Sequence, residues 1–302
     1  MLPILNIIYN IIAPIFIVVA LAMLLGYRFS PDPRVFSRVI FYLFSPFLVV
    51  NSLAKSDLQA NEIGLIAVMV LLFYLLMAVV SWSLARLFRF DRQLESAFML
   101  SVVVINAGNY GLPLSEFAFG PTGLQRAVIF YVVTAVLANT LGVFLASRGA
   151  ASLRQSLFNV LMVPLPYATA VGLLINLGHI TLPLPLERAI TLLGQATVPC
   201  MLVVLGLQLA RVSAKRQWRP ILLATAARLV VAPLIAFPLV ALLGLSGVTR
   251  QVAIVQASMP TAVISSVLAA EFGADAEFTA AVVLVSTLAS IVTLTILLWL
   301  IM

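Results

Sequence analysis

Apolar residues run along this chain in long unbroken blocks, with no short helical or strand period. A block of about 20 apolar residues crosses a hydrocarbon core of roughly 30 Å. Such blocks fall near residues 5–26, 36–54, 63–85, 95–117, 125–146, 157–177, 187–209, 220–243, 250–271 and 277–301. The pattern predicts an all-α integral membrane fold of ten transmembrane helices. The fourth block breaks the rule. Its sequence "SVVVINAGNYGLPLSEF", residues 101–117, places Asn106, Gly108, Asn109, Gly111 and Pro113 in the middle of an apolar run.

Composition agrees with the blocks. The chain has 302 residues, 63% hydrophobic and 9% charged, against about 25% charged in a soluble domain. One cysteine, Cys200, rules out a disulfide framework. The first ten residues, "MLPILNIIYN", carry no basic region and no small-residue cleavage site, and start the first span.

The net charge of +7 does not form a nucleic-acid stripe. With the N-terminus outside, Arg28, Arg34, Arg38, Arg86, Arg89, Arg92, Arg148, Arg154, Arg211, Lys215, Arg216 and Arg219 all face inward. Only Lys55, Arg126, Arg188 and Arg250 face outward. The positive-inside rule therefore sets both termini outside, and the expected location is the plasma membrane, which in a bacterium is the inner membrane. In the last inside loop, Asp275 and Glu277 suit the start of the helix they open.

The two halves share internal similarity. "PIFIVVALAMLLG" from Pro14 matches "PYATAVGLLINLG" from Pro166; Pro46 matches Pro199; "FGPTGLQRAVIF" from Phe119 matches "FGADAEFTAAVV" from Phe272. All three lie at an offset of 152 or 153 residues. Each half, 1–147 and 156–302, holds five spans. An odd number inverts the second half, giving a 5+5 inverted repeat, which places substrate at the repeat interface near the midplane.

The repeat offset carries Ala107 onto Pro260, in "QASMPT". Spans four and nine are thus interrupted at matching positions, the best sequence pointer to a transporter binding site. Proline withholds a donor and clashes with the carbonyl four residues back. Glycine at 108 and 111 permits unusual backbone angles. Freed backbone survives in a membrane only where it lines a protein-walled cavity. Half-helix N-termini there attract anions, and Asn106 and Asn109 offer neutral amide donors to a carboxylate. Tyr110 adds a hydroxyl and a ring. Ser258, Met259, Pro260 and Thr261 are the candidate lining from span nine, with Gln256 beside them.

"NAGNYGLPL" resembles the signature of the auxin efflux carrier family of prokaryotic transporters. It is similar to the Asn-Pro-Asn-Thr-Tyr crossover of the plant PIN carriers, with Asn106 and Tyr110 at the first and last positions and Ala107 in place of the proline. The resemblance covers the whole chain and implies a fold shared with the bile acid:sodium symporters. It implies a scaffold of spans 1, 2, 6 and 7 (about 5–54 and 157–209). It implies a transport domain of spans 3–5 and 8–10 (about 63–146 and 220–301), with spans 4 and 9 crossing at their breaks. It also implies small organic anions as substrates and leaves a scaffold-mediated homodimer open.

Other membrane polar residues admit two roles each. Arg228, about 12 Å into span eight, either draws an anion inward or snorkels to the headgroups. Asn51 either faces substrate or bonds a neighbouring helix, and Gln195 and Thr197 pose the same choice. Asn139 is a candidate cross-link to the span-four break. All ten acidic residues lie in loops or near span ends. With one His, one Cys and no mid-membrane carboxylate, no enzyme, metal or cofactor is expected; with the paired break and the resemblance, the expectation is an elevator-type secondary transporter of small organic anions. The alternative is a sodium- or proton-coupled symporter.

Overall fold

The computed structural model describes residues 2–147, 161–212 and 218–302. Four basic residues assigned above to the inner side, Arg148, Arg154, Lys215 and Arg216, lie outside the described residues, as does most of the segment joining the two halves. The described chain is helical, with no strand beyond a single isolated bridge. The segments are α1 (Pro3–Phe29), α2 (Pro33–Ala54), α3 (Ala60–Leu87), α4 (Arg92–Val103), α5 (107–119), α6 (121–146), α7 (Pro164–Leu177), α8 (Leu184–Leu209), α9 (Trp218–Leu242), α10 (Gly247–Ala257), α11 (Ile264–Phe272) and α12 (Ala276–Ile301). α5 and α6 form one continuous run, Ala107–Ala146, divided at Gly120, whose φ of 66° only glycine adopts freely. Seven helices are long and apolar enough to cross a membrane: α1, α2, α3, the α5–α6 run, α8, α9 and α12. The chain is a multi-pass membrane protein.

Local chemistry explains where segments start and bend. Asp32, Asp91 and Asp275 cap α2, α4 and α12, each carboxylate accepting from a main-chain N–H of the first turn. Widened π-type turns occur at Ile8–Ile12, Ile40–Phe44, Ala107–Gly111 and Ala227–Val231. Each ends one residue short of a proline: Pro14, Pro46, Pro113 and Pro233. A proline ring collides with the carbonyl four residues back. Those residues, Asn10, Tyr42, Asn109 and Leu229, sit at the middle of each widened turn, where the extra residue makes room. A fifth such turn, Ala138–Gly142, has no proline after it. There Asn139 and Thr140 donate to the carbonyls of Ala135 and Val136 at 2.8 and 2.9 Å, a back-bonding that bends helices. Asn139 is therefore spent within its own helix and does not cross-link to the span-four break.

Helix pairs pack through small residues, as expected where lipid removes the hydrophobic drive between helices. α1 meets α8 and α2 meets α7 and α8. A Cβ at Gly206 would lie 2.4 Å from the Val19 carbonyl oxygen, and one at Gly172 would lie 3.0 Å from Leu53 Cβ. Asn51 bonds a neighbour here, accepting from Thr191 Oγ1 of α8 at 3.3 Å. Thr197 Oγ1 likewise donates to the Phe44 carbonyl at 3.0 Å, while Gln195 is exposed.

Polar contacts collect the helix ends into two clusters. Arg211, at the end of α8, donates to the carbonyls of Ser30 and Pro31 in the α1–α2 turn. In the other cluster, Asn176 of α7 donates to Ala54 and Ser56, and Lys55 pairs with Glu187 at 3.2 Å. Arg126 joins it, 8% exposed, pairing with Asp57 at 3.0 Å and Glu62 at 3.1 Å and donating to Thr249 at 3.0 Å. Lys55 and Arg126, two of the four basic residues expected outside, thus belong to one cluster near the starts of α3, α6 and α10. The Arg126 guanidinium holds the Asp57 carboxyl below its ordinary 3.8. A depressed carboxyl pKa stabilises the fold above the unfolded value, and the contribution is lost as pH falls through the folded one. Asp57 is mostly exposed, so solvent screening keeps its contribution below about 1 kcal/mol. In thermal melts, wild type should exceed Asp57→Asn by a small constant margin above about pH 5, closing below about pH 4. A margin that widens on acidification would contradict the pairing.

Candidate functional site

The two interrupted segments meet. α4 ends at Val103, residues 104–106 are non-helical, and α5 opens with the widened turn Ala107–Gly111. α10 ends at Ala257, and residues 258–263 are non-helical before α11. The backbones then pair antiparallel across the gap. Asn106 N donates to Pro260 O at 2.9 Å, and Ala262 N donates to Val104 O at 3.0 Å. These bonds satisfy backbone that would otherwise be stranded in hydrocarbon. Thr261 staples the pair: its Oγ1 donates to Ser101 O at 2.6 Å, and its N donates to Ser286 Oγ of α12 at 3.2 Å.

The glycines act differently from the sequence expectation. Neither Gly108 nor Gly111 has a positive φ, so neither is there for an unusual backbone angle. Both serve close approach. A Cβ at Gly108 would lie 2.7 Å from the Tyr131 ring, and one at Gly111 would lie 2.3 Å from Gln256 Oε1. Gln256 is fully buried, with Nε2 donating to Ser115 Oγ at 3.2 Å and Oε1 without a partner. Pro113 falls at the start of the Leu112–Leu137 run, beyond the break, and is the cause of the widened turn.

The candidate side chains separate into committed and free. Ser258 Oγ donates back to Ile254 O at 2.7 Å, and Thr261 Oγ1 is taken by Ser101. Met259 and Pro260 are buried in the gap. Tyr110 is buried, its hydroxyl 3.5 Å from Ser290 Oγ and its ring edge-on to Phe16 of α1, with centroids 5.8 Å apart. Asn109 stays half-buried on the same turn. Asn106, at the N-terminal end of α5, is 4% exposed, and its Nδ2 donor has no partner. Most buried polar groups are satisfied; here the Asn106 amide donor is orphaned, as are Gln256 Oε1 and Arg228 Nε nearby.

Arg228 neither snorkels nor opens onto a vestibule. It lies in the widened turn of α9 and is fully buried. Nη1 donates to Val102 O at 2.9 Å, Nη2 donates to Ala257 O, and the guanidinium lies over the Phe73 ring, 5.3 Å from its centroid. Val102 lies in the last turn of α4 and Ala257 ends α10, so one cation spans the C-terminal ends of both half-helices. These partners of Arg228 were not foreseeable from residue types, because its acceptors are main-chain carbonyls and carbonyls carry no residue signature. No group of three or more metal-ligating residues occurs among the described residues.

Paired half-helices crossing inside a multi-pass bundle, with an unsatisfied donor at the crossing, are the arrangement of a membrane transporter's binding site. The sequence matches the family described as "Membrane transport protein" over residues 7–160 and 147–298. The chain belongs to this family, the auxin efflux carriers, whose members are transporters and not enzymes. It is 27% identical over 274 residues to an uncharacterized transporter of Methanothermobacter thermautotrophicus, covering 89% of each chain. It is 24% identical over 275 residues to another from Methanocaldococcus jannaschii, covering 88% of each. A Rhizobium meliloti protein named "Putative malonate transporter" is 30% identical over 204 residues, 65% of this chain and 64% of its own.

Proposed function

We propose that the protein is a secondary transporter of small organic anions, carboxylates first, held at the crossing of the broken helices. The carrying observation is the buried, unpartnered Nδ2 of Asn106 at the N-terminal end of α5. A half-helix N-terminus concentrates partial positive charge, and a neutral amide donor there binds a carboxylate without the cost of a permanent buried cation. Asn109 and Tyr110 lie on the same turn as supplementary contacts.

Under this reading the chain spans the membrane ten times, α4–α5 and α10–α11 each making one crossing, as a 5+5 inverted repeat. The scaffold is α1, α2, α7 and α8; the remaining helices are the transport domain, which moves as an elevator past Phe16 and α8. Support comes from the packing, in which α1, α2, α7 and α8 pair among themselves. Both termini lie outside the plasma membrane. Ser258 and Thr261 shape the crossing and do not contact substrate, and Asn51 belongs to the scaffold.

The test is flux in proteoliposomes, starting with malonate because a relative carries that name. Anion movement should follow an imposed potential, worth about 2.3 kcal/mol per charge at 100 mV. Flux that ignores the potential and follows a sodium or proton gradient would establish the coupled symporter instead.

A further inference from the structure

We infer that Arg228 is a resident cation: its guanidinium occupies the carbonyl site at the two half-helix C-termini that a mobile alkali cation would otherwise fill. The inference rests on the reading of the crossing as the transport centre only for its bearing on coupling; its structural part stands on the geometry alone.

The crossing has four helix ends. Two are N-terminal, at α5 and α11, and two are C-terminal, at α4 and α10. C-terminal ends carry partial negative charge on carbonyls that lack an intrahelical partner. In transporters with discontinuous helices, such carbonyl ends coordinate sodium or protons. Here both converge on one side chain, through Val102 O and Ala257 O. Arg228 forms none of the ion pairs among the described residues. Nη1 and Nη2 meet the two carbonyl ends and the guanidinium plane meets the Phe73 face, while the buried Nε has no partner; the arrangement suits a weakly hydrated, planar cation.

The consequence is a division of labour. The negative ends are neutralised by a cation tethered to α9, so no dissolved ion is needed to hold the breaks together. The positive ends are left for an anion. A tethered cation moves with its helix and returns with it, so it contributes no ion gradient to transport. Removing it should expose a latent monovalent-cation site.

The experiment is thermal unfolding of the purified protein in choline, sodium, potassium and guanidinium chlorides at equal low-millimolar concentration. Wild type should melt at one temperature in all four. Arg228→Ala should melt lower in choline and recover roughly 2–4 °C in sodium, potassium or guanidinium. A wild type stabilised by sodium over choline, or an Arg228→Ala protein indifferent to every cation, would overturn the inference. Should Arg228→Ala not survive purification, Arg228→Lys and Arg228→Gln decide. They fill similar volumes, and the charged variant should melt several degrees higher; equal melting would show that volume, not charge, holds the crossing. None of these measurements needs a substrate, so failure to find one leaves them decisive, and their failure leaves the anion site at Asn106 standing.

Discussion

Replacing Asn106 by alanine is expected to weaken anion binding by at least about tenfold while leaving the protein as stable as wild type or more so. The two halves of that expectation have one cause. Nδ2 is buried with no hydrogen-bond partner, a desolvation penalty of about 1–3 kcal/mol carried by the ligand-free protein. A carboxylate relieves the penalty and gains a hydrogen bond to a charged group, worth about 1.5–3 kcal/mol, or roughly ten- to hundred-fold in affinity. Alanine removes the penalty and the gain together. A structural asparagine would do the opposite and lose stability on truncation. Thr261→Val is the matched contrast: its hydroxyl is taken by Ser101 O, so its loss should lower the melting temperature. Calorimetric titration and thermal melts of both variants separate the roles. Unchanged affinity in Asn106→Ala would refute the site.

Seven of the expected spans were legible because a membrane demands length and apolarity, which a linear sequence displays directly. The expected 63–85 and 277–301 appear as Ala60–Leu87 and Ala276–Ile301. The interruption near Asn106 was legible for a related reason, since glycine, proline and asparagine in an apolar run contradict an uninterrupted helix. Its mechanics were not. Whether Gly111 serves an unusual backbone angle or a neighbour depends on Gln256, 145 positions away in sequence and 2.3 Å from its missing Cβ. The hydroxyls of Ser258 and Thr261 looked available because residue type states what a group can donate, not where a nearby carbonyl already waits. Arg228 shows the limit most plainly. Its acceptors lie 126 and 29 residues from it and belong to the main chain of a valine and an alanine. No alphabet of side chains encodes a carbonyl freed by a helix end.

Replacing Gly206 by leucine is expected to cost about 3 kcal/mol or more and to remove most of the monodisperse protein. A Cβ at this position would already lie 2.4 Å from Val19 O, 2.6 Å from Ala22 Cβ and 3.1 Å from Met23 N. Two of these are main-chain atoms of α1, which cannot rotate away as a side-chain tip would. The helices must separate instead, and separation also loosens the contact between Gly26 and Ala210, where a Cβ would lie 2.8 Å away. Overpacking of a well-filled core costs typically 1–3 kcal/mol, and the rigid backbone on both sides here sets the value at the upper end or beyond. Lipid offers no compensating hydrophobic gain, because tails are as apolar as leucine. Gly64→Leu on α3 is the control, since nothing lies within 4 Å of a Cβ there. Leucine is also the better helix former by about 1 kcal/mol, so this variant should melt at or above wild type. Size-exclusion chromatography and thermal melts of the pair measure the contrast directly. A Gly206→Leu protein that elutes and melts like wild type would show that α1 and α8 are not in contact along this line.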